Sequence, residues 1–424
     1  MEPVNSPRTG PTAPTAHRRP PWVPPLIATA IVILLGGLWD GLMYMGLPLP
    51  AGSSTMSQDH GQLMVLGFLG TLISLERAVA LGKTWGYLAP AAAGTGGLAI
   101  IAGAPGNVGE ALICGGGLVL IAIFAVVYRI QPALHNAVLA SGAVCWVVAA
   151  VLWLAGWDIA KFVPWLAGFL VLTITGERLE LSRMTGTSRL GRLLFACAAG
   201  LFGAGLLASL AAGPAAAVPG EGVPPGIRVT GAGLIALALW LARYDIARRT
   251  IRGRGVTRFM AAALLTGYAW LAVAGGLWVS MGQMSDGRVF DSELHAIFLG
   301  FVMSMIFAHA PVIIPSVLGR PLPFRNYLYI PLVLLHISLI LRLAGGDWAA
   351  NTDAWQWGGS LNETAILLYI VIAGSLVARS RKAARRPREA PRRAAAVPPP
   401  TDLLSALENL DVPATGDRTG DLPR

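Results

Sequence analysis

Apolar residues in this chain cluster in long uninterrupted runs, separated by short polar segments. A run of about 20 apolar residues is long enough to cross the hydrocarbon core of a bilayer as a helix. Twelve such runs follow one another, at 22–46, 59–81, 86–104, 107–129, 133–155, 159–181, 190–212, 226–247, 257–281, 290–317, 326–345 and 361–380. The pattern predicts an all-α polytopic membrane domain of about twelve transmembrane helices over residues 22–380. Spans three and seven are rich in Gly and Ala, which suits close helix packing. Residues 1–21 are Pro-rich and read as a disordered cytoplasmic arm. Residues 381–424 read as a disordered tail, first basic and then acidic, with one amphipathic stretch at 402–411.

Composition agrees. The chain is 54% hydrophobic and 13% charged, with a mean hydropathy of +0.62, which is too apolar for an ordinary soluble domain. The first apolar run is too long for a secretory signal peptide. A net charge of +10 does not imply nucleic acid, because the basic residues lie between apolar runs and in the tails. Cys114, Cys145 and Cys197 all fall inside apolar runs with no CxxC spacing, and read as small buried thiols.

Charge also gives an orientation. Lys and Arg follow the even-numbered spans, from Arg77 and Lys83 to Arg320 and Arg325. Segments after odd spans carry acids instead, such as Asp59, Glu110, Asp158 and Asp347. The positive-inside rule then places both termini in the cytoplasm, in a bacterial-type inner membrane. Membrane lipids are the partner this composition implies, and the basic start of the tail suits anionic headgroups.

An internal repeat follows. GFLGTLISLERAVAL from Gly67 and GFLVLTITGERLELS from Gly168 agree at six positions, with a constant offset of 101 residues. Span ten carries Gly300-Phe301-Val302 and has His309 where the other two have Glu76 and Glu177. Spans two, six and ten are four apart, so the chain reads as three pseudo-repeated four-helix units. At the rim, Arg77 and Arg178 are expected to snorkel to lipid heads while the glutamates pair with neighbouring helices. Glu76 and Glu177 are also proton-pathway candidates.

The candidate chemistry lies in the histidines. Ionisable residues are expensive in a bilayer, and those present usually mark a site. His60 opens span two and His295 opens span ten, both at the same expected depth near the outer surface. Histidine is a common ligand of haem iron, and two on facing helices can hold one haem. His309 lies 14 residues beyond His295, about 21 Å along a helix. It therefore belongs to the other side, near Pro311 and Pro315, where distortion frees backbone carbonyls. His336 in span eleven is a candidate partner for a second metal position with His309, or else a hydrogen-bonded core histidine. His135 is expected to be interfacial. Arg342, near the outer end of span eleven, needs an anion. A haem propionate, a lipid phosphate and Asp347 are the candidates. Met43, Met45, Met56, Met64, Met281 and Met284 gather on the same side, and thioethers favour Cu(I), so copper is a second candidate metal.

Twelve helices in three units, with histidines opening spans two and ten, resemble the catalytic subunit of haem-copper oxidases. The copper ligands of that family have no counterpart here, because spans six and seven carry no histidine. The resemblance therefore does not imply oxygen reduction. HAIFLGFVMSMIFAHAPVIIPSVLGRPLP and HGQLMVLGFLGTLI look more like the NnrS family of haem- and copper-containing membrane proteins linked to nitric oxide stress. That likeness implies haem at His60 and His295, metal near His309 and His336, and nitric oxide or a redox partner as the reactant. The competing readings are a proton-coupled small-solute transporter, with Glu76, Glu177 and His309 handling protons or substrate, and an assembly factor for a respiratory complex.

Overall fold

In a computed structural model of the chain, the described residues are 20–50, 59–183, 186–211, 225–282 and 287–385, with side chains described to 380. All regular structure among them is helical. The helices are α1 (Val23–Tyr44), α2 (His60–Leu81), α3 (Leu88–Ile101), α4 (Val108–Ile130), α5 (Leu134–Leu154), α6 (Ile159–Ser182), α7 (Arg189–Leu210), α8 (Pro225–Tyr244), α9 (Gly255–Ser280), α10 (Gly287–Leu318), α11 (Asn326–Trp348) and α12 (Thr352–Ser380). Eleven of these are long and apolar enough to cross a membrane. The third is the exception. A 3-10 turn at Thr84–Tyr87 uses up the start of the expected span, and 14 residues remain in α3. At 1.5 Å per residue these reach about 21 Å, and the four-residue 3-10 turn leading into them adds about 8 Å, so that the two together approach a ~30 Å hydrocarbon core. The expected arm to residue 19, the 402–411 stretch, Met56 and Met284 lie outside the described residues. Residues 381–424 form a separate unit.

Helices adjacent in sequence pack against each other along most of the chain, as in α3 with α4, α5 with α6, α7 with α8, and α8 with α9. Backbone contact is close where glycines meet. A Cβ on Gly231 would lie 2.8 Å from the Gly275 carbonyl oxygen, and one on Gly275 would lie 2.7 Å from that of Gly231. With no hydrophobic drive between helices in lipid, such close packing holds them together. The outward faces carry exposed Leu207, Leu239, Ile330, Ile337 and Val371, as a surface in contact with lipid requires. Helix α6 is the most enclosed. Its most apolar stretch is 89% buried, against 33–61% for the other ten long helices. It touches both α2 and α10, and these two also touch each other. The three helices thus pack together.

Three helices contain π-helical turns, at Leu63–Leu69 in α2, Ala296–Met303 in α10 and Leu341–Trp348 in α11. π-turns widen a helix locally and recur at functional sites. The first begins three residues after His60 and the second directly after His295, and they contain Gly67-Phe68 and Gly300-Phe301. In α10, Pro311 has no N–H to offer the Phe307 carbonyl one turn back. The Tyr369 hydroxyl of α12 donates to that carbonyl instead, at 2.8 Å. The Tyr369 ring stacks on Phe307 with centroids 3.9 Å apart.

Candidate ligand site between the histidine-bearing helices

A cavity of ≈ 210 Å³ lies between the starts of α2 and α10 and the adjoining parts of α1, α6, α11 and α12. Its walls are mostly apolar, with Phe68, Leu166, Phe298 and Ile366 among them. Its polar lining includes His60, His295, Asp291, Arg342, Asn362 and Glu363. Both histidines singled out at the sequence level therefore face one space.

Each imidazole is anchored through its Nδ1. In His60 this atom lies 2.7 Å from the Gly37 carbonyl oxygen of α1. In His295 it lies 2.9 Å from the Asp291 carbonyl oxygen and 3.1 Å from Asp291 Oδ1. A carbonyl only accepts, so Nδ1 carries a proton in both rings, and in the neutral form Nε2 keeps its lone pair. Among the described residues neither Nε2 has a hydrogen-bond partner. An Nδ1–H held by a carbonyl or carboxylate is the usual support of a metal-binding histidine. The donor set, two imidazoles anchored at Nδ1 in an apolar space, is of the kind that holds haem iron. Helix α1 leaves room for this through Gly41, where a Cβ would come 2.9 Å from His60 Cε1 and 3.1 Å from Glu363 Oε1.

Asp291 ties the site together. Arg342 donates to it twice, from Nε at 2.8 Å and Nη2 at 2.7 Å. Trp355 Nε1 donates at 3.2 Å. The anion that Arg342 requires is thus Asp291, one turn before His295, and Asp347 instead accepts from the Ser292 hydroxyl at 2.6 Å. Trp355 belongs to turns that the apolar pattern did not assign to a helix. Helix α12 begins at Thr352, nine residues before the expected start at 361, because the Asn351 side chain caps it through Ala354 N at 3.0 Å. Gln356 in the same turns donates to the Met45 carbonyl at 2.9 Å. Met45 and Met64 line the cavity.

Sequence reasoning missed Asp291, Asn362, Glu363 and Asp40. Asp40 is fully buried in α1, with neither carboxylate oxygen hydrogen-bonded. The signal for it was available, since an acid within an apolar run is as unusual as a histidine there. Asp59, just outside the start of α2, has its carboxyl pushed up to about 6 by burial and by the nearby Glu110.

The other candidates sit elsewhere. His309 Nδ1 lies 2.6 Å from the Met305 carbonyl oxygen, and its Nε2 is buried without a partner. The charged groups acting on it are Arg178, Glu177 and Asp245. His336 accepts at Nδ1 from Trp270 Nε1, at 3.1 Å. Its proton is therefore on Nε2, which is not the form that binds a metal through that atom. Trp270 packs against Gly300, nine residues before His309 and about 13 Å along the helix. Among the described residues no hydrogen bond joins His309 to His336. Among the described residues no group of three or more His, Cys, Asp or Glu is placed to hold a metal ion.

At the opposite end from the cavity, the rim arginines turn inward instead of snorkelling. Arg77 of α2 pairs with Glu177 of α6. Arg178 is 3% exposed and lies 3.7 Å from Asp245 Oδ2. Burial pushes the Asp245 carboxyl up, and Arg178 pulls it back. Glu76 lies in the field of Glu177 and Arg77. His135, expected at the interface, is 2% exposed, with Nε2 3.9 Å from Glu180.

A family described as a Domain of unknown function (DUF8744) matches residues 23–378, from the first turn of α1 to near the end of α12. No curated protein and no solved structure matches the chain.

Proposed function

The chain belongs to that family across all its membrane helices, and we propose that it is a haem-binding membrane protein in which His60 and His295 would hold the haem iron. The observation that carries this reading is that both histidines line one apolar cavity with Nδ1 anchored and Nε2 free. Bound there, a haem supplies one-electron chemistry. The residues of the chain set its surroundings. Gly37 and Asp291 fix the two rings and raise their basicity. Arg342 holds Asp291 in place, and the phenylalanine and leucine walls exclude water. Ligation by two histidines favours electron transfer in the membrane over open-site gas chemistry, and the absence of histidine from spans six and seven argues against oxygen reduction. The NnrS likeness extends the proposal to nitric oxide or reactive-nitrogen response, with copper beside Met45 and Met64 as a second metal. The convergence of α2, α6 and α10 supports three pseudo-repeated units. The arginine-rich loops support an inner-membrane protein with both termini cytoplasmic.

The test is haem content per chain, measured as the pyridine complex, for wild-type protein and for His60→Ala and His295→Ala. Each variant should lose most of the haem while remaining in the membrane fraction. Wild-type haem content and spectrum in both variants would overturn the assignment.

A second reading rests on the charged layer of half-buried Arg77–Glu177 and buried Arg178–Asp245 beside His309. Buried ionisable groups in a helix bundle also mark proton pathways, as in a proton-coupled transporter. Under that reading Glu177→Gln abolishes proton-coupled uptake in vesicles, and the purified protein is colourless.

A further inference from the structure

Far from the histidine cavity, two further cavities of ≈ 470 Å³ each adjoin, sharing Arg243 and Tyr244 in their linings. The first is basic. It is lined by Arg243, Arg248, Arg249 and Arg252, together with Ser188 at the start of α7. Among the described residues none of these four arginines has an acidic partner within ion-pair distance. The one acid in the lining, Asp245, is 3% exposed. Its Oδ1 accepts from Ala247 N at 2.7 Å and its Oδ2 faces Arg178, so its charge is engaged away from the arginines. The second cavity is an apolar groove between α7 and α8, lined by Leu194, Cys197, Leu201, Leu239 and Trp240. Leu194, Leu201 and Leu239 are exposed along it.

Rim arginines alone would satisfy the positive-inside rule without a cavity. Here the unpaired charge sits at the head of a groove that runs down the lipid-facing side of two helices. Guanidinium groups suit phosphate oxygens, basic pockets between membrane helices suit anionic headgroups, and an apolar groove suits an acyl chain. We propose that the paired cavities bind one anionic phospholipid, with its phosphate among Arg243, Arg248, Arg249 and Arg252 and one acyl chain along Leu194, Leu201 and Leu239. The site is independent of the haem reading.

Cys197 provides the readout. It was expected to be buried, but it is exposed in the groove, whereas Cys114 and Cys145 are buried. A maleimide added to the full-length protein in detergent therefore reports on Cys197. Phosphatidylglycerol should slow its labelling more than phosphatidylcholine does, and inorganic phosphate should leave it unchanged. Replacing Arg248, Arg249 and Arg252 by Gln should remove the phosphatidylglycerol advantage, at roughly fivefold in relative affinity per arginine. If the triple variant is not recovered, Arg248→Gln alone is read in the same way with a proportionally smaller loss. Equal protection by the two lipids would overturn the proposal, as would an advantage that survives loss of the arginines. Protection by inorganic phosphate alone would show a small-anion site and overturn the lipid assignment.

Discussion

At the residue scale, the candidate site turns on which ring nitrogen is free. His60 and His295 donate from Nδ1 to an acceptor and leave Nε2 without a hydrogen-bond partner among the described residues, whereas His336 accepts a hydrogen bond from Trp270 at Nδ1 and so carries its proton on Nε2. The sequence makes intramembrane histidines conspicuous but says nothing about tautomers, which depend on partners from other helices. One link is legible in the sequence. Asp291 stands four residues before His295, a spacing that sets two side chains on one helix face. Gly41 gives a sharp test. A Cβ there would lie 2.9 Å from His60 Cε1, so Gly41→Ala should displace the imidazole and lower haem content severalfold while leaving expression intact. Haem content equal to wild type would show that His60 does not need its observed position.

At the element scale, apolar runs located the long helices well because length and hydropathy are local properties. They failed where another force sets the boundary. The start of α12 is polar enough to look like a loop, yet Asn351 caps it and Trp355 and Gln356 dock it on α10 and α1. The α-helical part of the expected third span is shortened by a 3-10 turn. The proline distortion in α10 was legible, but the partner of its freed carbonyl was not, since Tyr369 lies on a helix 62 residues away from Phe307 in sequence. Removing that hydroxyl leaves a buried carbonyl unpaired, which costs about 1–3 kcal/mol. Tyr369→Phe should lower stability by that amount in a denaturation measurement. The loss should shrink in a Pro311→Ala background, where residue 311 regains an N–H for the Phe307 carbonyl. Equal losses in both backgrounds would show that the proline and the tyrosine are not coupled.

At the scale of the whole molecule, α2, α6 and α10 touch one another, and α6 is the most enclosed of the long helices. Their two ends differ in chemistry. One holds the histidine cavity. The other holds Arg77–Glu177, Arg178–Asp245 and His309, with the unpaired arginines at its edge. The inward turn of Arg77 and Arg178 was not legible, because snorkelling and pairing use the same residues and only the neighbouring helices decide between them. The proposed orientation places the arginine end in the cytoplasm. Alkaline phosphatase inserted at Gly106, between α3 and α4, should then be active, and inserted at Gly253, between α8 and α9, inactive. The reverse result would invert the orientation, and with it the side from which the histidine cavity is reached.

The most direct measurement is the ultraviolet-visible absorption of the full-length protein, purified in detergent from cells supplied with haem, before and after dithionite. Two histidine ligands predict a Soret band that shifts and sharpens on reduction, with resolved low-spin bands at longer wavelength. Stoichiometric protein with no Soret band would contradict the haem assignment and leave the charged layer as the functional centre.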